Sequence, residues 1–195
     1  MEINKHYHSV SNRELVAWMN ETPFAAMLTI KFMNPQNNHE CINQLNKLIR
    51  NLNSFIYGRQ FAKRSLFING FVVIEKNIKK SPNNFHIHLL VKRENKLNRF
   101  NINELLHIAI KSSEKLKDNF GNTAFPHGEI KATTNSDNVS GYETDCMHII
   151  EPYDEYAAAY IAKTATDSGY EQIKFLSLHG LSDTDISFMH HHKFR

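Results

Sequence analysis

The chain has 195 residues, of which 41% are hydrophobic and 22% are charged, a composition typical of a soluble domain with a sizeable core. A formal charge of +3 permits a nucleic-acid partner, but it is less than a dedicated non-specific DNA binder usually carries. No apolar run approaches the roughly 20 residues of a membrane span, and the first residues lack the apolar core of a signal peptide. With only two distant cysteines, Cys41 and Cys146, these features predict a cytoplasmic protein with reduced thiols.

Apolar patterning predicts a chain that alternates between strands and helices. The predicted strands are 24–33, 66–75, 85–92, 128–133 and 145–150. The predicted helices are 39–57, 103–118 and 154–165. Polar turns at 76–84 and 134–141 each predict a hairpin, and the pattern is weak beyond Gly169. This order predicts an α+β fold, an antiparallel sheet with helices packed on it. We expect a single domain over 1–195, with its core at about 24–165 and a C-terminal extension at 166–195.

Two histidines stand one residue apart in the third predicted strand, within the stretch Phe-His-Ile-His-Leu-Leu-Val at 85–91. Side chains alternate faces along a strand, so His86 and His88 share one face, about 7 Å apart. Glu75 ends the strand that should pair with this one across the turn. Two neutral imidazoles and a carboxylate can hold a divalent cation, Mn²⁺ or Mg²⁺, with positions open for water or phosphate. The same three residues could also be half-exposed sheet positions that share no ligand.

The last predicted helix contains the stretch Tyr-Ala-Ala-Ala-Tyr-Ile-Ala-Lys at 156–163. Tyr156, Tyr160 and Lys163 are spaced i, i+4 and i+7, which places them on one helical face. A phenol with a pKa of about 10 is a poor nucleophile, but a nearby ammonium group or metal ion stabilises the phenolate. The pattern therefore allows a tyrosine to attack phosphorus, although an aromatic stripe facing a core has the same spacing.

Together, these motifs resemble those of the HUH endonuclease superfamily, the rolling-circle replication initiators (Rep proteins) of plasmids and single-stranded DNA viruses. The run His86-Ile87-His88 fits the family's pattern of histidine, bulky apolar residue and histidine. Glu75 matches the acidic residue that viral members carry on the preceding strand. Residues 156–163 resemble the two-tyrosine motif of initiators from isometric single-stranded DNA bacteriophages. Residues 26–32, Ala-Met-Leu-Thr-Ile-Lys-Phe, resemble the family's first motif, a strand of Phe-Thr-Leu-Thr type.

The resemblance implies an HUH/Rep-type, ferredoxin-like nuclease domain that nicks and rejoins single-stranded origin DNA, in hairpin form, with a divalent metal. It implies that Tyr160 attacks the scissile phosphate, forms a 5′-phosphotyrosine and frees a 3′-OH that primes replication of a plasmid or phage in the cytoplasm of a bacterial host cell. Tyr156 would be a second nucleophile or a bystander, and Lys163 would assist the phenolate or help order the metal site. The metal ligands implied by the resemblance are Glu75, His86 and His88.

Three alternatives stay open. A single-strand transposase or a mobilisation relaxase would keep the fold, but the former usually uses one tyrosine and the latter a third histidine and an N-terminal nucleophile. A non-catalytic origin-binding protein would have a degenerate metal site, which the intact set of Glu75, His86, His88, Tyr160 and Lys163 argues against. The sequence has no Gly-x-x-x-x-Gly-Lys-Ser/Thr phosphate loop, so either a separate helicase unwinds the DNA or the chain is a stand-alone nicking domain. The expected partners are single-stranded origin DNA, a separate helicase and a polymerase, and no membrane partner is expected.

Overall fold

The computed structural model describes residues 23–32, 38–76, 85–94, 96–118, 120–134, 140–150, 173–177 and 180–183. In chain order its elements are β1 (Phe24–Lys31), α1 (Asn38–Tyr57), β2 (Gly70–Lys76), β3 (Phe85–Lys92), α2 (Ile102–Ser113), β4 (Lys131–Thr134), β5 (Ser140–Glu143), β6 (Met147–Ile150), β7 (Ile173–Ser177) and β8 (Gly180–Asp183). Neither of the helices described is long and apolar enough to cross a membrane. The helix predicted at 154–165 lies outside the described residues.

The eight strands form one sheet in the order β4-β5-β6-β1-β3-β2-β7-β8. Every neighbouring pair is antiparallel. The predicted α+β class, with an antiparallel sheet and packed helices, is therefore confirmed. The two central strands, β1 and β3, carry the first predicted motif and the histidine pair. The finer HUH/Rep-type identity of the fold stays a prediction.

One face of the sheet packs against the two helices and forms the hydrophobic core. Ile30 on β1, Ile87 and Leu89 on β3, and Leu45 and Leu48 on α1 are all fully buried in this one cluster. The apolar positions of α1 recur every three or four residues, so one stripe of the helix meets the sheet. Strand alternation then turns the intervening residues of β1 and β3 toward the opposite face.

Helix α2 begins and ends on specific side-chain hydrogen bonds. At its start, the side chain of Asn101 accepts from the Glu104 N–H at 2.9 Å, and the Glu104 carboxylate accepts from the Asn101 N–H at 2.8 Å. At its end, Ser113 Oγ donates to the Ile110 carbonyl at 2.8 Å. The prediction of a helix to residue 118 was therefore too long. Leu116, whose apolar side chain suggested that the helix continues, is buried but lies just after the turn that follows the helix.

The predicted hairpin of β2 and β3 is confirmed, and its register places Glu75 opposite His86 and Val73 opposite His88. The first of these strands begins at Gly70, four residues later than predicted. Gly70 has φ of 146°, and a Cβ there would collide with the carbonyl oxygen of Leu90 on β3. A glycine at this position therefore allows the two strands to start pairing where they do.

The later strands differ most from the prediction. The polar stretch expected to be a hairpin tip contributes β5, which pairs with both β4 and β6. Beyond Gly169, where the pattern is weak, β7 pairs with β2 and β8 pairs with β7. These strands have four or five residues, too few for a periodic signal to separate them from loops. The backbone N–H of Leu181 in β8 also donates to Asn46 Oδ1 of α1, at 2.9 Å.

Candidate metal-binding site on the sheet

The candidate site lies on the sheet face that points away from α1 and α2. Thr29, His88 and Glu75 alternate with core residues on β1, β3 and β2 respectively, so all three belong to this face. Their apolar neighbours on the same face include Val73 and Leu90, which are fully buried. The polar groups therefore lie beside a buried apolar area, where an unsatisfied hydrogen-bonding group would be costly.

The imidazole of His88 bridges the strands on either side of it. Its Nε2 lies 3.2 Å from Glu75 Oε2 on β2, and its Nδ1 lies 3.0 Å from Thr29 Oγ1 on β1. The His88 side chain is 3% exposed, whereas that of Glu75 is 33% exposed. One ring nitrogen thus meets a carboxylate that solvent can reach, while the other is fixed by a hydroxyl group. The structure therefore brings together two of the three predicted metal ligands.

His86 is directly opposite Glu75 in the pairing of β2 with β3, and opposite Lys31 in the pairing of β1 with β3. It is partly exposed, in contrast to the buried His88. Among the described residues, no three His, Cys, Asp or Glu side chains are grouped so that they could hold a metal ion. Participation of His86 as the third ligand therefore stays a prediction that rests on strand register.

The spacing of the Glu75–His88 pair fits a divalent cation. In octahedral coordination, two adjacent ligand atoms that each lie about 2.1 Å from the cation are at right angles and so about 3 Å apart. The observed 3.2 Å between Nε2 and Oε2 is close to that value. It is equally the length of a hydrogen bond from Nε2–H to the carboxylate. The pair can thus be joined by a proton or, with the Nε2 proton removed, by a cation between the two atoms.

The predicted nucleophiles cannot be placed relative to this pair. Tyr156, Tyr160 and Lys163 all lie outside the described residues, in the range 151–172. Their assignment stays a prediction from the sequence.

A second histidine, His127, lies in a cluster that the sequence does not indicate. Its Nε2 is 2.7 Å from Ser113 Oγ at the end of α2. Its Nδ1 is 3.3 Å from Thr144 Oγ1 and 3.4 Å from Cys146 Sγ, at the turn between β5 and β6. Three segments distant in sequence meet at this ring, so no local motif could have indicated it.

The proton arrangement around His127 follows from its neighbours. Ser113 Oγ donates its proton to the Ile110 carbonyl, so it must accept from Nε2–H of the ring. Nδ1 is then left as an acceptor for the hydroxyl of Thr144 or the thiol of Cys146. Burial lowers the pKa of His127, while Glu114 and Asp145 partly oppose that shift. Burial also raises the pKa of the Cys146 thiol to about 11. We therefore interpret this cluster as a neutral hydrogen-bonded brace.

Thr29 is the residue of the candidate site that sequence analysis did not single out. It lies within the stretch that resembles the family's first motif, and it is the one polar residue between Phe24 and Ile30 of β1. That isolated hydroxyl in an otherwise apolar run was the available signal. Strand pairing, which cannot be read from a single strand, supplies its partner.

Comparisons with protein-family models, with curated proteins and with solved structures give no significant match to this chain.

Proposed function

We propose that the chain is a metal-dependent enzyme that nicks and rejoins single-stranded DNA through a 5′-phosphotyrosine and so initiates rolling-circle replication of a plasmid or phage. The observation that carries the proposal is the contact between His88 and Glu75 across β2 and β3, with His86 in register on the same face. The resemblance of residues 71–76 and 85–91 to the HUH motif leads us to expect Glu75 beside these histidines. The tyrosine motif at 156–163 supplies the nucleophile that such a site needs.

In this proposal Glu75, His86 and His88 hold Mn²⁺ or Mg²⁺. Once bound, the cation would polarise an oxygen of the scissile phosphate and offset its negative charge. His88 is suited to a fixed role because its ring is buried and held at both nitrogens. Glu75 is suited to an exchangeable role because its carboxylate is partly exposed, so that water or a phosphate oxygen can approach it.

One exposed lysine beside the candidate site can contact an anionic substrate. Lys31 is the last residue of β1, is exposed, and lies opposite His86 in the strand pairing. A cation at this position can contact a DNA phosphate next to the one that reacts, and such contacts weaken as the salt concentration rises. We thus expect the sugar-phosphate backbone of the DNA to contact the protein near Lys31, at the end of β1.

The proposed chemistry exchanges one phosphodiester for another. The Tyr160 oxygen forms a bond to phosphorus, the bond from phosphorus to O3′ breaks, and O3′ takes up a proton as the phenol loses one. Lys163 favours the phenolate by its positive charge. Because a phosphotyrosine ester replaces a phosphodiester, the reverse step needs no ATP. The proposal requires that Tyr160 reach the face that carries Glu75 and His88.

Covalent trapping tests the proposal directly. The purified chain would be incubated with Mn²⁺ and 5′- or 3′-labelled single-stranded oligonucleotides that tile the DNA flanking its gene, and adducts resolved on denaturing gels. We expect an adduct that carries the 3′ fragment of one oligonucleotide and is lost when EDTA is added. Tyr160→Phe should abolish the adduct, Tyr156→Phe should preserve it, and Tyr142→Phe, on β5, is the matched control.

The same assay tests the proposed metal ligands Glu75 and His88. Glu75→Gln and His88→Ala should each reduce adduct formation by at least about 100-fold, since loss of even an outer-shell partner typically costs 10–100-fold. His107→Ala, which changes an exposed histidine on α2, should leave it unchanged. If no oligonucleotide gave an adduct, the proposed nicking activity would be refuted and a non-catalytic origin-binding role would be favoured. An adduct lost in Tyr156→Phe but retained in Tyr160→Phe would reverse the assignment of the nucleophile.

A further inference from the structure

The Thr29 hydroxyl and the Glu75 carboxylate hold the His88 ring from opposite sides. Thr29 is the direct cross-strand partner of His88 in the pairing of β1 with β3. Its Oγ1 lies 3.0 Å from Nδ1, while Glu75 Oε2 lies 3.2 Å from Nε2. A neutral imidazole carries one proton, on one nitrogen only. The two neighbours therefore cannot both accept a proton from a neutral His88 ring.

The two neighbours differ in what they can do with that proton. The ionised Glu75 carboxylate can only accept, so without a cation the proton belongs on Nε2, and the Thr29 hydroxyl must donate to Nδ1. A cation between Nε2 and Glu75 needs the Nε2 lone pair, so the proton then belongs on Nδ1, and the hydroxyl must accept it. A hydroxyl can serve in both arrangements by rotating its hydrogen, which neither a carbonyl nor an amide N–H could do.

We infer that Thr29 is a positioning residue that lets the buried His88 ring exchange its tautomer and so bind a divalent cation together with Glu75. The exchange moves one proton from Nε2 to Nδ1 through solvent and releases none overall when the ring is neutral at the start. His88 is 2% exposed, so an Nδ1–H without an acceptor would be buried and unsatisfied. This inference rests on the metal site of the proposed function, but not on its DNA chemistry.

The inference is tested with ¹⁵N NMR of the histidine rings and with Mn²⁺ titration of the full chain. In the wild type without metal, His88 should carry its proton on Nε2, and with the diamagnetic probe Zn²⁺ it should carry it on Nδ1. Thr29→Val, which keeps the β-branched shape and removes the hydroxyl, should weaken Mn²⁺ binding about 10–100-fold, the usual effect of losing such an outer partner. Thr29→Ser restores the hydroxyl and should bind Mn²⁺ within about 3-fold of the wild type.

Each other outcome has a stated consequence. Wild-type binding of Mn²⁺ by Thr29→Val, or an unchanged His88 tautomer on addition of Zn²⁺, would overturn the role of Thr29. If the wild type bound no Mn²⁺ at all, the metal site and the positioning role would fall together. If Mn²⁺ bound and the tautomer changed as expected, but no DNA adduct formed, the proposed nuclease would fail while the role of Thr29 stood. The tautomer measurement uses the wild type alone, so the test survives a variant that does not fold.

Discussion

His88 and His127 each contact a hydroxyl group through one ring nitrogen, but their other ring nitrogens contact groups of different charge. Each ring has a hydroxyl on one nitrogen, Thr29 for the former and Ser113 for the latter. The other nitrogen of His88 meets the carboxylate of Glu75, whereas that of His127 meets a hydroxyl and a thiol that hold their protons. A carboxylate is negatively charged and can bind a cation together with the ring nitrogen. A protonated thiol and a hydroxyl group are neutral and donate their protons to the ring nitrogen instead.

The origin of the two arrangements also differs. The partners of His88 lie on the two strands that flank it, so the register of the sheet sets their spacing. The partners of His127 come from the end of α2 and from the turn before β6, so they depend on how distant segments pack. Disturbance of strand pairing should therefore affect the first site more than the second, and disturbance of the α2 terminus should do the reverse.

Gly70→Ala should give the largest effect, because its Cβ would meet the Leu90 carbonyl and because φ at this position is 146°. The collision is with backbone, so β2 must shift against β3, and we expect a loss of unfolding free energy of about 3 kcal/mol or more. Urea unfolding measures that loss, and ring NMR signals should change for His88 more than for His127.

Gly58→Ala is the matched control for this prediction. Gly58 also has a positive φ, 87°, but a Cβ there would meet nothing within 4 Å. We expect a loss of only about 1 kcal/mol, from the backbone conformation alone. Equal losses for the two alanine variants would show that a collision between the new Cβ and the Leu90 carbonyl does not account for the loss of stability in Gly70→Ala.

Ser113→Ala should affect the second site and spare the first. It removes the hydroxyl that accepts from His127 and donates to the Ile110 carbonyl, so we expect a loss of about 1–3 kcal/mol in urea unfolding. Mn²⁺ binding at Glu75 and His88 should be unchanged. A loss of Mn²⁺ affinity in this variant would mean that the two histidine sites are coupled.

The adjacent Ser112 provides the control. Its Oγ is buried and, within the part of the chain that the structure describes, meets no hydrogen-bond partner. Ser112→Ala removes an unsatisfied polar atom, so unfolding free energy should stay the same or rise slightly. If both serine variants lost the same amount, packing rather than hydrogen bonding would explain the effect at Ser113.

The same contrast explains how much the sequence could predict. The pair His86 and His88, the hairpin that carries Glu75 and the two helices that build the core each have a local signal: alternation, a polar turn or an apolar stripe. Those predictions are confirmed for the presence and the type of these elements. The predicted end of α2 is too late because Leu116, a buried apolar residue outside the helix, extends the apolar periodicity beyond Ser113.

The missed features all depend on pairing between distant segments. The role of Thr29 depends on the register of β1 against β3, and the His127 cluster depends on residues 113, 127 and 144–146 meeting in space. Strands β5, β7 and β8 are short and find their place only through their neighbours. A single sequence carries no signal for such contacts, because each partner looks ordinary in its own segment.

The smallest effect concerns pH and the neutral state of the His127 cluster. Burial lowers the pKa of His127 below its usual value of 6.5, with Glu114 and Asp145 opposing the shift. Burial lowers the pKa of His148 as well, with Glu143 opposing and Lys31 reinforcing the shift. Below about pH 6.5 the unfolded chain therefore binds protons that the folded chain does not. The stability from these neutral rings is complete above that pH and is lost as the pH falls.

Urea unfolding in EDTA between about pH 7.5 and 5 measures this loss. Each histidine adds at most about 1.4 kcal/mol per pH unit, and less for rings that are partly exposed like these. His127→Gln keeps a side-chain amide that can donate to Ser113 but cannot titrate, so its stability should fall less steeply with acid than that of the wild type. His107→Gln, on the exposed side of α2, is the control. Parallel curves for His127→Gln and the wild type would contradict the neutral brace, because they would mean that the His127 ring takes up protons equally in the folded and the unfolded chain.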